Sequence, residues 1–152
     1  MTINESKNQN KYLCFLDLDG VTHPTAANGS YFRGENMYVL IDCLYGPEIS
    51  IVISSSWRLD MPLSEIKYML GPLERQVVGA TPEIDDPFLH HPRHLEVERY
   101  LKQTHQEDAL WFAIDDTQAF YKPDAPVVIT NGRVGFTRED CTRLYKLIRS
   151  LG

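Results

Sequence analysis

The run Tyr12-Leu13-Cys14-Phe15-Leu16 is apolar at every position and stops at Asp17. Successive side chains of a strand point to opposite faces, so a half-exposed strand alternates apolar and polar residues. A run without alternation has both faces buried, as in a central strand of a parallel sheet covered by helices. Ile49-Ser50-Ile51-Val52-Ile53, Leu110-Trp111-Phe112-Ala113-Ile114 and Val127-Val128-Ile129-Thr130 repeat the pattern, and Gln76-Val77-Val78-Gly79 is a weaker version of it. Helical spacing fills the intervals. Met37, Leu40, Ile41 and Leu44 lie on one face before the stop Gly46-Pro47, a helix over 63–70 closes at Gly71-Pro72, and a third covers 93–103. Thr137 caps the last helix, with Asp140 three residues on in a capping-box pattern. Cys141, Leu144, Tyr145, Ile148 and Leu151 form its apolar face. The order β-α-β-α-β-α-β-β-α predicts an α/β fold: a parallel five-stranded sheet with helices on both faces. The stretch 80–92, with Pro82, Pro87 and Pro92, is expected as a loop.

A chain of 152 residues fits one domain, here 11–152, and its 43% apolar content can fill a core. Residues 1–10 are polar and read as a frayed lead-in without a signal-peptide core. The net charge of −6 argues against a general nucleic-acid coat or a basic membrane-surface protein. No apolar stretch approaches membrane-spanning length. Cys14, Cys43 and Cys141 are widely spaced and form no CxxC pair. Buried thiols and a reducing cytoplasm are the expectation.

Three runs end in polar groups: Asp17 and Asp19, Ser54 to Ser56, and Asp115 with Asp116. Open parallel sheets bind ligands outside the carboxyl ends of their strands, so neighbouring runs would bring these groups into one crevice. Four carboxylates share a pocket at neutral pH only with a counter-cation or raised pKa values. All-oxygen donors favour a hard cation, magnesium above all, and a phosphate group could complete its coordination. Gly20 lets the chain turn at once, which swings Asp19 back toward the pocket. Asp17 is then placed as a nucleophile that forms an aspartyl-phosphate. Asp19 is placed to protonate the leaving oxygen and later to activate water.

One hydroxyl of the serine run, Ser54 to Ser56, is expected on a phosphoryl oxygen. The phosphate also needs a cation other than the metal. Arg93 opens a helix that can face the crevice, with Lys102 and Lys122 as the other candidates. His23, just past Gly20, and Arg58 are candidate substrate contacts. Trp57 reads as core or rim. His90, His91 and His94 cluster around Pro92 without partnering cysteines and read as a solvated loop rather than a metal site.

These residues resemble the haloacid dehalogenase-like (HAD) phosphohydrolases. Asp17-Leu18-Asp19-Gly20-Val21 is similar to motif one, Ile51–Ser56 to motif two, Arg93 to the basic residue of motif three, and Ala113-Ile114-Asp115-Asp116 to motif four. The resemblance spans about residues 12–130. It implies a single Rossmann-like domain with Asp17 as nucleophile and Asp19 as general acid/base. It also implies Mg2+ held by the Asp17 carboxylate, the Asp19 carbonyl and motif four, with Asp116 the direct ligand and Asp115 beside it, and in motif two it makes Ser55 the phosphate ligand, with Ser54 next. The segments Asp19–Pro24 and Ile53–Arg58 look like the small HAD domains of Swiss-army-knife RNA repair proteins, which suggests nucleic-acid end processing. Many members carry an inserted cap domain. Neither the segment after motif one nor the loop 80–92 is long enough for one. An uncapped site suits a phosphate on a large substrate, such as a nucleic-acid end or a phosphoprotein. A small metabolite or nucleotide fits if a partner subunit covers the site.

Two non-enzymatic readings compete. A receiver-type signalling module also binds magnesium in an acidic pocket, but it places its acid pair after strand one and its acceptor aspartate after strand three. Here no acid ends the run Gln76–Gly79. A catalytically silent phosphate-binding module has no need of Asp19.

Overall fold

The computed structural model describes residues 11–26, 29, 31–32 and 34–152. The expected lead-in 1–10 lies outside them. Five strands form one parallel sheet in the order β3-β2-β1-β4-β5: β1 Tyr12–Leu16, β2 Ile49–Ile53, β3 Val77–Ala80, β4 Leu110–Asp115 and β5 Val127–Ile129. The helices are α1 Gly34–Leu44, α2 Leu63–Met69, α3 Pro92–Gln103 and α4 Arg138–Leu151. This is the expected α/β, Rossmann-like arrangement.

The period-two alternation of β1 divides the core. Cys14 and Leu16 pack with Leu40 and Leu44 of α1, Ile66 of α2 and Leu144 of α4. Leu13 and Phe15 pack with Val97, Tyr100 and Leu101 of α3 and with Tyr121. Three helices therefore cover one face and α3 the other. Each fully buried Leu or Phe contributes on the order of 1.5–3 kcal/mol, which is why β1 is apolar on both sides.

β3 begins at Val77 rather than Gln76 because Gln76 ends the 3-10 turn Gly71–Gln76, and its side chain ties that turn to its neighbours. Its amide donates to the carbonyls of Leu44 and Ile49, and its oxygen accepts from Gly46 N–H. α3 begins at Pro92, whose missing N–H is harmless in a first turn. His94, expected in a solvated loop, is buried in α3 instead. Its ring packs on Trp111 and Tyr121, and its Nδ1 accepts from Lys122 N–H. Between β3 and α3 the chain is loop, and no inserted domain occurs among the described residues. All three cysteines are buried and free. No helix among the described residues is long and apolar enough to cross a membrane.

Candidate active site

Strand register builds the site. Leu16 pairs with Ile53 on one side and Ile114 on the other, so Asp17, Ser54 and Asp115 lie level at the carboxyl ends of three adjacent strands. Asp17 N–H donates to the Ile114 carbonyl at 3.0 Å, and Ser54 N–H to the Leu16 carbonyl at 2.9 Å. Phe15, Val52 and Ala113 all face α3. Two residues further along each strand, Asp17, Ser54 and Asp115 continue that parity. Arg93 stands in the first turn of α3, on the same face.

Asp17, Asp115 and Asp116 each offer a carboxylate oxygen, and these atoms lie within 4.8 Å of one another. Burial is the main force raising the Asp17 carboxyl to about 8, and the Asp115 charge adds to it. A backbone hydrogen bond at Leu18 and the Arg93 charge oppose the rise, while Asp116 adds to it. Burial likewise raises Asp115 to about 6, against hydrogen bonds from Thr117 N–H and the Tyr121 hydroxyl and the pull of Arg93. Asp116 accepts from the hydroxyls of Thr25 at 3.2 Å and Thr117 at 2.9 Å. Crowded, half-desolvated carboxylates of this kind are relieved by a bound divalent cation, so the donor set fits a hard metal ion. Gly20 has φ +78, and a Cβ there would stand 2.3 Å from Asp116 Oδ2. The tight approach of the turn to Asp116 therefore requires glycine.

Asp19 stands outside that cluster. Gly20 turns the chain, Gly20 N–H donates to the His23 carbonyl, and Asp19 and His23 form an isolated bridge. The Asp19 carboxylate accepts from His23 Nε2 at 2.8 Å through Oδ1 and from Trp57 Nε1 at 3.0 Å through Oδ2. Its side chain is 39% exposed and lines a cleft of about 570 Å³ with Thr25, Tyr31, Ser56, Trp57, Asp60 and Met61. A second cleft, of about 580 Å³, shares Thr25 and is lined by Asn131, Gly132 and Arg133.

The serines divide. Ser55 Oγ accepts from Trp57 N–H and caps the short 3-10 turn Ser56–Leu59. Ser54 Oγ is buried without a hydrogen-bond partner, and so is Arg93 Nε. Buried polar atoms are rarely left unpaired, and these two belong to the residue types that bind phosphoryl oxygens. The Arg93 charge acts on both Asp17 and Asp115. Lys102 is exposed in the last turn of α3, and Lys122 pairs with Glu98 at 2.8 Å.

His23 and Arg58, both candidate substrate contacts in the sequence, are inaccessible. The His23 side chain is 0% exposed, and that of Arg58 is 4% exposed. Arg58 is committed to the carbonyls of Ser55, Thr81 and Pro82 and to Glu96, which also pairs with Arg93. It braces the serine loop against α3. Sequence reasoning missed Trp57 as a partner of Asp19, and Thr25 as a partner of Asp116. Neither pairing follows from spacing along the chain.

Residues 13–141 match the family model described as the HAD domain in Swiss Army Knife RNA repair proteins. No curated protein and no solved structure matches the chain. The family match covers most of the chain and both aspartate motifs, and the parallel sheet with its carboxyl-end acid cluster agrees with it. The chain belongs to the HAD domain family of Swiss Army Knife RNA repair proteins.

Proposed function

We propose that the protein is a magnesium-dependent phosphatase that hydrolyses phosphomonoesters through an aspartyl-phosphate on Asp17. The observation that carries this reading is the level placement of Asp17, Ser54 and Asp115 on the α3 face, with an orphaned Ser54 hydroxyl and the Arg93 guanidinium beside the acids. Asp17, Asp115 and Asp116 would hold the metal, with the Asp19 carbonyl as the family's further ligand. When bound, the ion neutralises the acid cluster and draws charge from the phosphoryl oxygens.

The chain's own groups account for the rest. Ser54 and Arg93 bind phosphoryl oxygens and orient the ester. The Asp17 carboxylate attacks phosphorus, the bond to the leaving oxygen breaks, and Asp19 gives that oxygen a proton. Water then attacks the aspartyl-phosphate, Asp19 takes the proton from it, and inorganic phosphate leaves with Asp17 restored. The lack of an inserted domain among the described residues and the two clefts that share Thr25 favour a large substrate, a nucleic-acid end or a phosphoprotein, and the free buried cysteines favour the cytoplasm.

The direct test is turnover of 4-nitrophenyl phosphate with and without Mg2+. Wild type is expected to turn over only with the metal, and Asp17→Asn is expected not to exceed the buffer rate. Full activity in Asp17→Asn, or an inert wild type with Mg2+ present, overturns the reading.

A further inference from the structure

Both oxygens of Asp19 are taken by N–H donors that are themselves held in place. Trp57 is anchored by its own backbone N–H on Ser55 Oγ at 3.2 Å, and Arg58 grips the Ser55 and Thr81 carbonyls of the same frame. His23 is anchored from the other side. Its Nδ1 lies 3.2 Å from Phe32 N–H, a group that can only donate. Nδ1 is therefore an acceptor, and Nε2 carries the hydrogen presented to Asp19. The Thr22 hydroxyl lies 2.8 Å from the same Nδ1. Phe32 holds a left-handed φ of 53, unusual for a bulky residue and sustained only where its surroundings dictate it. The rings of Tyr31, Phe32 and Trp57 surround the imidazole with centroids 5.0, 5.7 and 5.5 Å away.

We infer that Trp57 and His23 are positioning residues, which fix the Asp19 carboxyl group in the cleft it lines with Thr25, Tyr31 and Ser56 so that it can pass a proton to the departing oxygen. This rests on the phosphatase reading above. A carboxylate just beyond a glycine turn and 39% exposed has several rotamers open to it. Two N–H donors, one on the turn itself and one beyond β2, leave it a single arrangement. Small displacements of an acid/base group carry large rate penalties, because proton transfer needs hydrogen-bond reach. The same bonds could serve merely to fasten the turn 17–23. That role would slow all esters alike, whereas a positioning role slows an ester in proportion to its need for a proton.

Trp57→Phe separates the two. It keeps an aromatic ring against His23, Tyr31 and Phe32 and removes the N–H. The measurement is kcat/KM in Mg2+ for 4-nitrophenyl phosphate, whose leaving group departs without a proton, and for benzyl phosphate, whose alkoxide needs one. This ratio reports steps through aspartyl-phosphate formation, so intermediate hydrolysis does not blur it. Trp57→Phe is expected to lose about 10- to 100-fold more on the benzyl ester than on the nitrophenyl ester. In an Asp19→Asn background the substitution is expected to add nothing on the benzyl ester. His23→Gln, which retains an N–H, is expected to lose less than His23→Leu. Equal losses on both esters, no loss on either, or a full additional loss in Asp19→Asn overturns the positioning role and leaves the phosphatase reading standing. An inert wild type removes both. Should Trp57→Phe fold poorly, the Trp57 indole proton in the NMR spectrum serves instead: it is expected to be slow to exchange and to shift in Asp19→Ala. An unmoved resonance overturns the contact.

Discussion

Asp17 sits at a conflict between burial and charge, and the conflict has a sign. Its carboxyl is raised from 3.8 to about 8, first by burial and then by the charge of Asp115. Between those values the unfolded chain has released its proton and the folded chain still holds it. Folding stability from this group is therefore present at acid pH and lost as pH climbs toward about 8; Asp115, raised to about 6, adds in the same direction. Metal-free protein is expected to melt at falling temperature across that window. The slope should be shallower in Asp17→Asn, and Mg2+ should restore the melting point at neutral pH by binding the folded state. Thermal denaturation at several pH values, with chelator and with Mg2+, checks this. A metal-free melting point rising from acid to neutral pH to the same extent in both chains would contradict it. The acids themselves were legible in the sequence, because each ends an apolar run. The serine register was not: the sequence favoured Ser55, and only the pairing of Phe15 with Val52 shows that Ser54 shares the face of Asp17 while Ser55 falls on the opposite parity. Nor were the partners of Asp19, because His23 and Trp57 meet only where β1 and β2 lie side by side.

Most elements follow from local signals. β1 and β2 begin and end where their runs do, because strands buried on both faces are mostly apolar, with Ser50 of β2 the buried polar exception. α4 starts at the capping box, with Thr137 Oγ1 accepting from Asp140 N–H and Asp140 accepting from Thr137 N–H. Thr137→Ala is expected to cost about 1 kcal/mol of stability. α4 packs on the face opposite α3 and supplies none of the proposed site residues, so kcat/KM at a temperature well below melting should be unchanged. Urea denaturation and the nitrophenyl assay read the two quantities separately, and lost activity in a folded Thr137→Ala would break the separation of the faces. β3 starts one residue later than its run, because Gln76 ends the 3-10 turn Gly71–Gln76, where its side chain meets carbonyls of α1 and β2 that local sequence cannot see. His94 was misread for a similar reason. A histidine between prolines and charges looks solvated until α3 turns it onto Trp111.

At the scale of the whole molecule, the proposed preference for a large substrate rests on the lack of an inserted domain among the described residues. The clefts of about 570 and 580 Å³ share Thr25, and no inserted domain covers them among the described residues. Binding energy from parts of a substrate remote from its phosphate can then lower the barrier at the reacting centre. In a panel of 3′- and 5′-phosphorylated oligonucleotides, phosphopeptides and small phosphate esters, at least one macromolecular class is expected to show kcat/KM at least about tenfold above the small esters. Equal turnover of all of them would point to a site completed by a partner subunit. The sequence by itself determined the sheet, the order of its helices, the acid motifs and the lack of room for a cap, because hydrophobic periodicity, turn residues and segment length are local. Only the tertiary structure decided which hydroxyl is left without a partner, which cation acts on Asp17 and what holds Asp19. Those depend on strand register and on side chains that meet across the sheet, where distance along the chain carries no information.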